Sequence, residues 1–226
     1  MPSIYERALG EDYQYLHPKI QRKFALSSGQ AVASRAEGVM NEIWGGRFWM
    51  RPFLHFGGMK HLTFSERGQN IPFSLENYAY MNSFGQDCMS WIRRFHFKQI
   101  RHFDATMVYS EKQKKVIDYL GSDQDLVTKL DIDVLSNGGI KLVSGPLFIN
   151  REQKILKLPS LFSAKATAKE WFNDEQNRYH IEVDVKNRYF GTIFGYKGTF
   201  TVQYYDFNGN LPSEVKPRKE KPLNLL

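Results

Sequence analysis

The sequence predicts a mainly β protein, in which an antiparallel meander of about ten strands forms a barrel or strongly curled sheet capped by N-terminal helices. Three observations favour this class. The stretch 189–205 holds seven aromatic residues and three glycines in seventeen positions, which is typical of a strand that bends sharply. Short runs of alternating apolar residues recur from residue 71 onward, whereas strong helical patterns occur only before residue 60.

The N-terminal region, residues 3–26, predicts two short helices. Ser3 and Glu6 have the spacing of a capping box, and Gly10 is suited to end the first helix. Pro18 is well placed as the first residue of the second helix. His17 then lies at the join, where we expect a buried polar side chain.

Residues 30–44 predict a strand that Gly45 and Gly46 interrupt. The aromatic-rich residues 47–60 that follow admit two interpretations. They form either a helix that plugs one end of the sheet or a flap over a ligand cavity, since glycine pairs at both ends permit motion.

From residue 71 onward the alternating runs predict a succession of strands, with Asn137-Gly138-Gly139 as a strong turn. Closing such a meander removes the exposed strand edges, which favours a lipocalin-like barrel over a flat sheet. The predicted strands cover residues 71–81, 89–98, 103–109, 116–120, 126–134, 140–149, 153–158, 164–172, 178–186 and 190–205.

The chain divides into one β-rich domain over residues 1–210 and a tail over residues 211–226. The tail is rich in proline and charge, which predicts an extended or disordered basic segment.

The composition limits the partners and the compartment. The net charge of +7 comes from scattered lysines and arginines, and no nucleic-acid-binding motif accompanies them, so we expect no nucleic acid partner. Cys88 is the only cysteine and cannot form an internal disulfide, which indicates a reducing compartment. With neither a signal peptide pattern nor a long apolar run, the sequence predicts a cytoplasmic protein.

Catalytic motifs are absent from the sequence. The six histidines lack metal-ligand spacing, and the glycines match no phosphate or dinucleotide loop, so no catalytic residue, metal or cofactor is predicted. Asp131, Asp133, Glu182 and Asp184 form same-face pairs on predicted strands. They either face solvent or meet across the barrel as an acid/base site.

The most distinctive polar residue is Arg93, which alternation places on one strand face with Trp91, Phe95 and Phe97. A guanidinium among aromatic rings is costly to bury unless it is paired or stacked. Arg93 therefore either pairs with a carboxylate as part of the core or binds an anionic head group in a cavity. The full set of predicted ligand-binding residues is Trp91, Arg93, Phe95, Phe97, Tyr179, Tyr196 and Lys197, the last on condition that it faces inward.

Four short motifs give a resemblance to a known family. The runs WIRRF at 91–95, NGG at 137–139, LP at 158–159 and FGYKG at 194–198 are similar to those of a bacterial family of uncharacterised domains. Its members occur alone or fused behind nucleotide-binding domains of the saccharopine dehydrogenase type. The resemblance implies no established activity or catalytic residues. The family-typical positions are Trp91, Arg93, Phe95, Gly139, Pro159, Tyr196 and Gly198.

Three functional hypotheses follow. The first is a non-enzymatic protein that holds a small apolar or amphipathic ligand in an aromatic-lined cavity. The second is an enzyme, or the substrate-binding partner of a reductase, with titratable side chains converging in one cavity. The third, less favoured, is a module that binds a membrane surface or a partner protein through its basic face and the tail.

Overall fold

The computed structural model describes residues 1–45, 64–151 and 154–222, and within them thirteen strands form one sheet. Ten of these strands close into an antiparallel barrel, which confirms the predicted mainly β class. The helices are α1 (Ile4–Leu9) and α2 (Pro18–Phe24), with 3-10 turns at Gly10–Tyr15 and Ser28–Gln30. The strands are β1 (Val32–Gly45), β2 (Gly68–Met81), β3 (Asp87–His96), β4 (Ile100–His102), β5 (Ala105–Ser110), β6 (Lys115–Leu120), β7 (Leu126–Val134), β8 (Ile140–Ser144), β9 (Phe148–Arg151), β10 (Lys154–Lys157), β11 (Lys165–Asn173), β12 (Arg178–Asn187) and β13 (Gly191–Asp206).

Strands that neighbour each other in the barrel are, with few exceptions, consecutive in the sequence. Its strand order is β1, β2, β3, β5, β6, β7, β8, β11, β12 and β13, and β13 closes it by pairing with β1. The short β4 adds to β3, while the β9–β10 hairpin leaves the barrel and pairs with β7. The prediction of one continuous strand over 140–149 is wrong, because residues 145–147 separate β8 from β9.

The N-terminal helices form as their local sequence dictates. The Glu6 amide donates to Ser3 Oγ at 3.2 Å and the Ser3 amide donates to Glu6 Oε2 at 2.5 Å, which confirms the capping box. Gly10, at φ 56°, ends α1, and Pro18 begins α2. His17 caps α2 by accepting from the Lys19 amide at 3.1 Å, and it is half-buried rather than fully buried.

Two glycines of β13 permit the close contact that shuts the barrel. A Cβ at Gly198 would lie 2.2 Å from the carbonyl oxygen of Val39 in β1, and one at Gly195 would lie 2.4 Å from the Trp44 ring. A side chain at Gly198 would force the two strands apart, and one at Gly195 would displace the Trp44 ring. This agrees with the close backbone approach that the glycine spacing predicts.

The residues 211–222 lie against the outside of the barrel and form no helix or strand. Val215 is buried, its carbonyl oxygen accepts from Ser90 Oγ at 2.8 Å, and Lys221 Nζ lies 2.9 Å from Asp125 Oδ1. The segment covers an outer apolar cluster that includes Tyr78, Tyr80, Cys88, Ile92, Val108, Ile117 and Tyr119. The sequence shows no periodicity here that would have predicted this attachment.

Two other features bear on the predictions. The plug or flap predicted over residues 47–60 lies outside the described residues. In the part of the chain that is described, no helix has the length and apolar character needed to span a bilayer.

Candidate functional site

The interior of the barrel has two ends, and the first is filled by the N-terminal helices. Tyr5 packs on Phe24 at a ring distance of 4.8 Å, and Phe24 lies 5.9 Å from Trp91. Lys23 enters beside these rings and places its Nζ 3.0 Å from the Glu170 carboxylate, with both side chains almost fully buried. This end of the barrel is therefore packed, and its buried charges are paired with each other.

The second end contains a cavity of about 340 Å³. Most of its wall is aliphatic or aromatic, and four polar side chains reach it from β3, β6, β7 and β8. These are Arg93, Asp118, Thr128 and Ser144. The apolar lining is formed by Trp91, Phe103, Met107, Leu120, Leu126, Leu130, Leu142, Leu147, Phe162, Ala164, Ala166, Ala168, Val183, Val185, Ile193 and Phe194.

Arg93 is the cation of this cavity, and only 6% of it is exposed. Its Nε donates to the Phe103 carbonyl oxygen at 2.6 Å, and its Nη1 reaches the Tyr196 hydroxyl at 3.5 Å. The guanidinium also lies 4.1 Å from the centroid of the Phe103 ring. No carboxylate among the described residues forms a direct ion pair with Arg93, so its charge is held by neutral groups.

Asp118 is the acid of the same cavity, and its Oδ1 is buried without a hydrogen-bond partner among the described residues. Burial raises the pKa of this carboxyl to about 7, and the more distant positive charge of Arg93 offsets only part of the shift. Near neutral pH the group is therefore close to its point of half-protonation. A buried acid of this kind can accept or donate a proton to a neighbouring molecule.

The structure brings two of the seven predicted ligand-binding residues, Trp91 and Arg93, to the cavity wall. Phe95 and Tyr196 lie behind the wall, fully buried with their rings 5.0 Å apart, and Tyr196 reaches the cavity only through its contact with Arg93. Phe97 is half-buried and packs against Phe64 at 5.6 Å.

The remaining two predicted residues lie elsewhere. Tyr179 is buried under α2 and donates to the Lys19 carbonyl oxygen at 3.1 Å, away from the cavity. Lys197 faces outward and pairs with Glu42 at 2.9 Å, so the inward orientation required of it is wrong. The register explains this, because Lys197 sits opposite Glu42 while its neighbour Tyr196 takes the inward position.

Sequence reasoning missed Asp118. A signal was present, since Val116, Asp118 and Leu120 alternate with residues of the other face and therefore share one side of β6. The four acids that the sequence singled out, in contrast, face outward. Asp131, Asp133 and Asp184 pair with Lys115, Lys141 and Lys186, and Glu182 lies beside lysines on the outer face of β11 and β12.

No cluster of histidine, cysteine and acidic residues in the described ranges could hold a metal ion. Cys88 is buried in the outer apolar cluster, and its burial raises the pKa of the thiol well above the usual range. A thiol in this state is a weak nucleophile. Among the described residues, Arg93 and Asp118 are the two charged side chains that line the cavity.

Comparison with known proteins identifies the family. The model for the "Domain of unknown function (DUF4166)" matches residues 16–200. The chain belongs to this family. Residues of the chain also align with "Uncharacterized protein YndH" of Bacillus subtilis (strain 168), with 35% identity over 201 residues that cover 88% of this chain and 97% of that protein. No solved structure gave a significant match.

These matches support the family resemblance and leave two of its implications as predictions. Neither the family name nor the name of the relative refers to a fused dehydrogenase-like domain or a reductase partner. The matched region includes Trp91, Arg93 and Asp118, so the cavity lies within the family domain.

Proposed function

We propose that this protein binds one small amphipathic molecule in the barrel cavity, with the apolar body along the aliphatic wall and an anionic head group at Arg93. The observation that carries the proposal is a buried arginine that has no direct carboxylate partner among the described residues and lies in a mostly apolar cavity of about 340 Å³. A ligand carboxylate would supply the missing charge through strong, charge-assisted hydrogen bonds.

Asp118 adapts this site to an anion. An arriving carboxylate raises the pKa of Asp118 above its free value of about 7, because two adjacent negative charges repel each other. Asp118 therefore takes up a proton and becomes a hydrogen-bond donor to the head group. The ligand then meets a cation on one side and a neutral donor on the other.

The test compares three molecules with one tail and different head groups. Dodecanoate, dodecanol and dodecylammonium are titrated against the protein loaded with an environment-sensitive fluorescent probe, and native mass spectrometry counts the bound molecules. We expect one dodecanoate per chain, bound roughly 30-fold more tightly than dodecanol, since hydrogen bonds to charged groups contribute about 2 kcal/mol. Equal displacement by all three, or displacement by none, would overturn the proposal.

The pH dependence provides a second readout. Since the complex binds one more proton than the free protein, affinity for dodecanoate falls as pH rises above about 7, by up to tenfold per pH unit. Affinity for dodecanol stays constant over the same range because no second charge approaches Asp118. Besides Arg93, the hydroxyl of Tyr5 lies within electrostatic range of this carboxyl, and the raised pKa of Tyr5 keeps it neutral throughout.

A second candidate function, acid/base chemistry on the bound molecule, is favoured by the near-neutral pKa of Asp118. The two functions differ in what co-purifies with the protein. If the protein is a carrier, the wild type and Asp118→Asn hold a molecule of the same mass. If it is an enzyme, Asp118→Asn retains the unreacted substrate while the wild type holds a product of different mass or none.

A further inference from the structure

The rim of the cavity carries exposed apolar side chains at one place. Phe162 contributes to the cavity wall although 65% of it is exposed, and its neighbour Leu161 is 44% exposed. Tyr189, in the turn between β12 and β13, is 57% exposed. Exposed aromatic side chains grouped at the opening of a cavity are unusual for a surface that meets only water.

A single buried residue, Asn187, fixes these loops to each other. Its Nδ2 donates to the carbonyl oxygens of Leu161 at 2.9 Å and Ser163 at 2.7 Å, while its Oδ1 accepts from the Tyr189 amide at 2.7 Å. The Tyr189 hydroxyl also lies 3.4 Å from Ser160 Oγ. The apolar side chains are thus presented together on a fixed frame.

The two stretches that form this rim carry only positive charge. The stretches 154–165 and 185–193 contain lysines and an arginine but no aspartate or glutamate. Lys165 and Lys186 face each other directly across β11 and β12, an arrangement that destabilises a sheet unless an anion lies nearby. Asp184 pairs with Lys186 at 3.1 Å and, with Glu182, lies on the same outer surface as Lys165. The exposed basic residues of the rim are Lys154, Lys157, Lys165, Lys186 and Arg188.

We infer that this rim, defined by residues 154–165 and 186–190, docks the barrel onto an anionic lipid bilayer. Leu161, Phe162 and Tyr189 enter the interfacial region, where aromatic side chains are favoured, and the surrounding lysines contact the lipid phosphates. Docking in this orientation places the cavity opening against the source of an amphipathic ligand. For this purpose the inference rests on the proposed cavity function, although the docking itself needs no bound ligand.

The experiment is co-sedimentation with vesicles of phosphatidylcholine alone or with one fifth phosphatidylserine, at low and high salt. We expect binding to the anionic vesicles only, weakened by salt because Lys and Arg contacts to a charged surface are screened. The double variant Leu161→Ser/Phe162→Ser should bind roughly tenfold more weakly, since apolar surface no longer enters the interface. Lys157→Gln/Lys165→Gln should bind roughly 20-fold more weakly.

Matched variants at the opposite end of the barrel are the controls. Phe84→Ser removes an aromatic residue that is 47% exposed, and Lys112→Gln/Lys114→Gln removes two exposed lysines. Both should bind anionic vesicles as the wild type does. Equal losses in the rim and control variants, or no vesicle binding at all, would overturn the inference.

Two further results separate the alternatives. If light scattering shows a dimer that Leu161→Ser/Phe162→Ser dissociates, the rim is an interface between copies and the inference is wrong. Arg93→Met, which alters only a buried side chain, should leave vesicle binding unchanged. Loss of dodecanoate binding with intact vesicle binding therefore refutes the cavity function alone, and the reverse result refutes the docking alone.

Discussion

The two ends of the barrel interior each bury a cation and an acid, but they treat them differently. At the helix-capped end, Lys23 and Glu170 lie 3.0 Å apart, and neither is more than marginally exposed. At the cavity end, Arg93 is held by neutral groups and Asp118 Oδ1 has no partner among the described residues. Lys23 and Glu170 contact each other, whereas Arg93 and Asp118 both line a cavity of about 340 Å³.

This difference distinguishes a structural ion pair from the proposed binding site. Burial lowers the pKa of Lys23 and raises that of Glu170, and the direct contact between them acts against both shifts. Asp118 lacks such a contact, so burial raises its pKa to about 7. Unsatisfied buried charge costs folding free energy, and its presence beside a cavity supports the proposed ligand site.

The largest expected effect is on stability at the packed end. Glu170→Gln leaves Lys23 buried without its counter-ion and should lower the free energy of unfolding by about 3 kcal/mol. Urea denaturation followed by circular dichroism measures this. The double variant Lys23→Met/Glu170→Leu should recover most of the loss. If the single variant is as stable as the wild type, the ion pair between Lys23 and Glu170 does not stabilise the fold.

At the cavity end, Arg93→Met should weaken ligand binding strongly and lower the free energy of unfolding only slightly. We expect the affinity for dodecanoate to fall roughly 30-fold, because the charged hydrogen bonds to the head group are lost. The unfolding free energy should fall by only about 1 kcal/mol, since Asp118 can take up a proton when the cation is removed. Fluorescence displacement and urea denaturation give the two values. A stability loss as large as that of Glu170→Gln would make Arg93 a structural residue.

Replacing Asp118 should stabilise the protein. The folded pKa of about 7 lies above the ordinary value of 3.8, so the folded state binds the extra proton, and the wild type loses stability as pH rises from about 4 to 7. Asp118→Asn removes this dependence. We expect it to be more stable than the wild type by about 2 kcal/mol at pH 5.5 and equally stable below pH 4. A constant difference at all pH values would mean that Asp118 keeps an ordinary pKa.

The smallest expected effect compares two alanines. Ala36 is buried in the packed core, whereas Ala166 lines the cavity. Ala36→Leu should cost about 1.5 kcal/mol through overpacking. Ala166→Leu adds the same volume to open space, so its thermal midpoint should match the wild type while dodecanoate binding weakens. Equal destabilisation by both substitutions would show that the cavity collapses in solution.

The sequence predicted the features that depend on neighbouring residues. The capping box of Ser3 and Glu6, the first turn of α2 at Pro18 and the inward face of β3 each follow from local spacing. Alternation alone therefore placed Arg93 in the interior.

What the sequence could not give depends on contacts between distant elements. Asp118 resembles any acid on a short strand until β5 and β7 pair with that strand on either side. Whether Lys197 faces inward or outward could not be predicted, because the nearby glycines make the strand alternation ambiguous. The pairing of Lys197 with Glu42 determines its direction. Glu170 and Lys23 are 147 positions apart, so nothing in either segment indicates that they pair.

The position of β13 has a consequence for how the chain folds. This strand lies between β1 and β12, and its register joins Val32 to Asp206 and Gly45 to Phe194. During synthesis every other wall strand emerges before it, so β1 and β12 wait with unpaired backbone edges until the residues up to Asp206 have left the ribosome. Contacts between segments so far apart in sequence form slowly. Closure of the barrel is thus a late step of folding, and a molecule in its interior can be enclosed only after β13 has paired with β1.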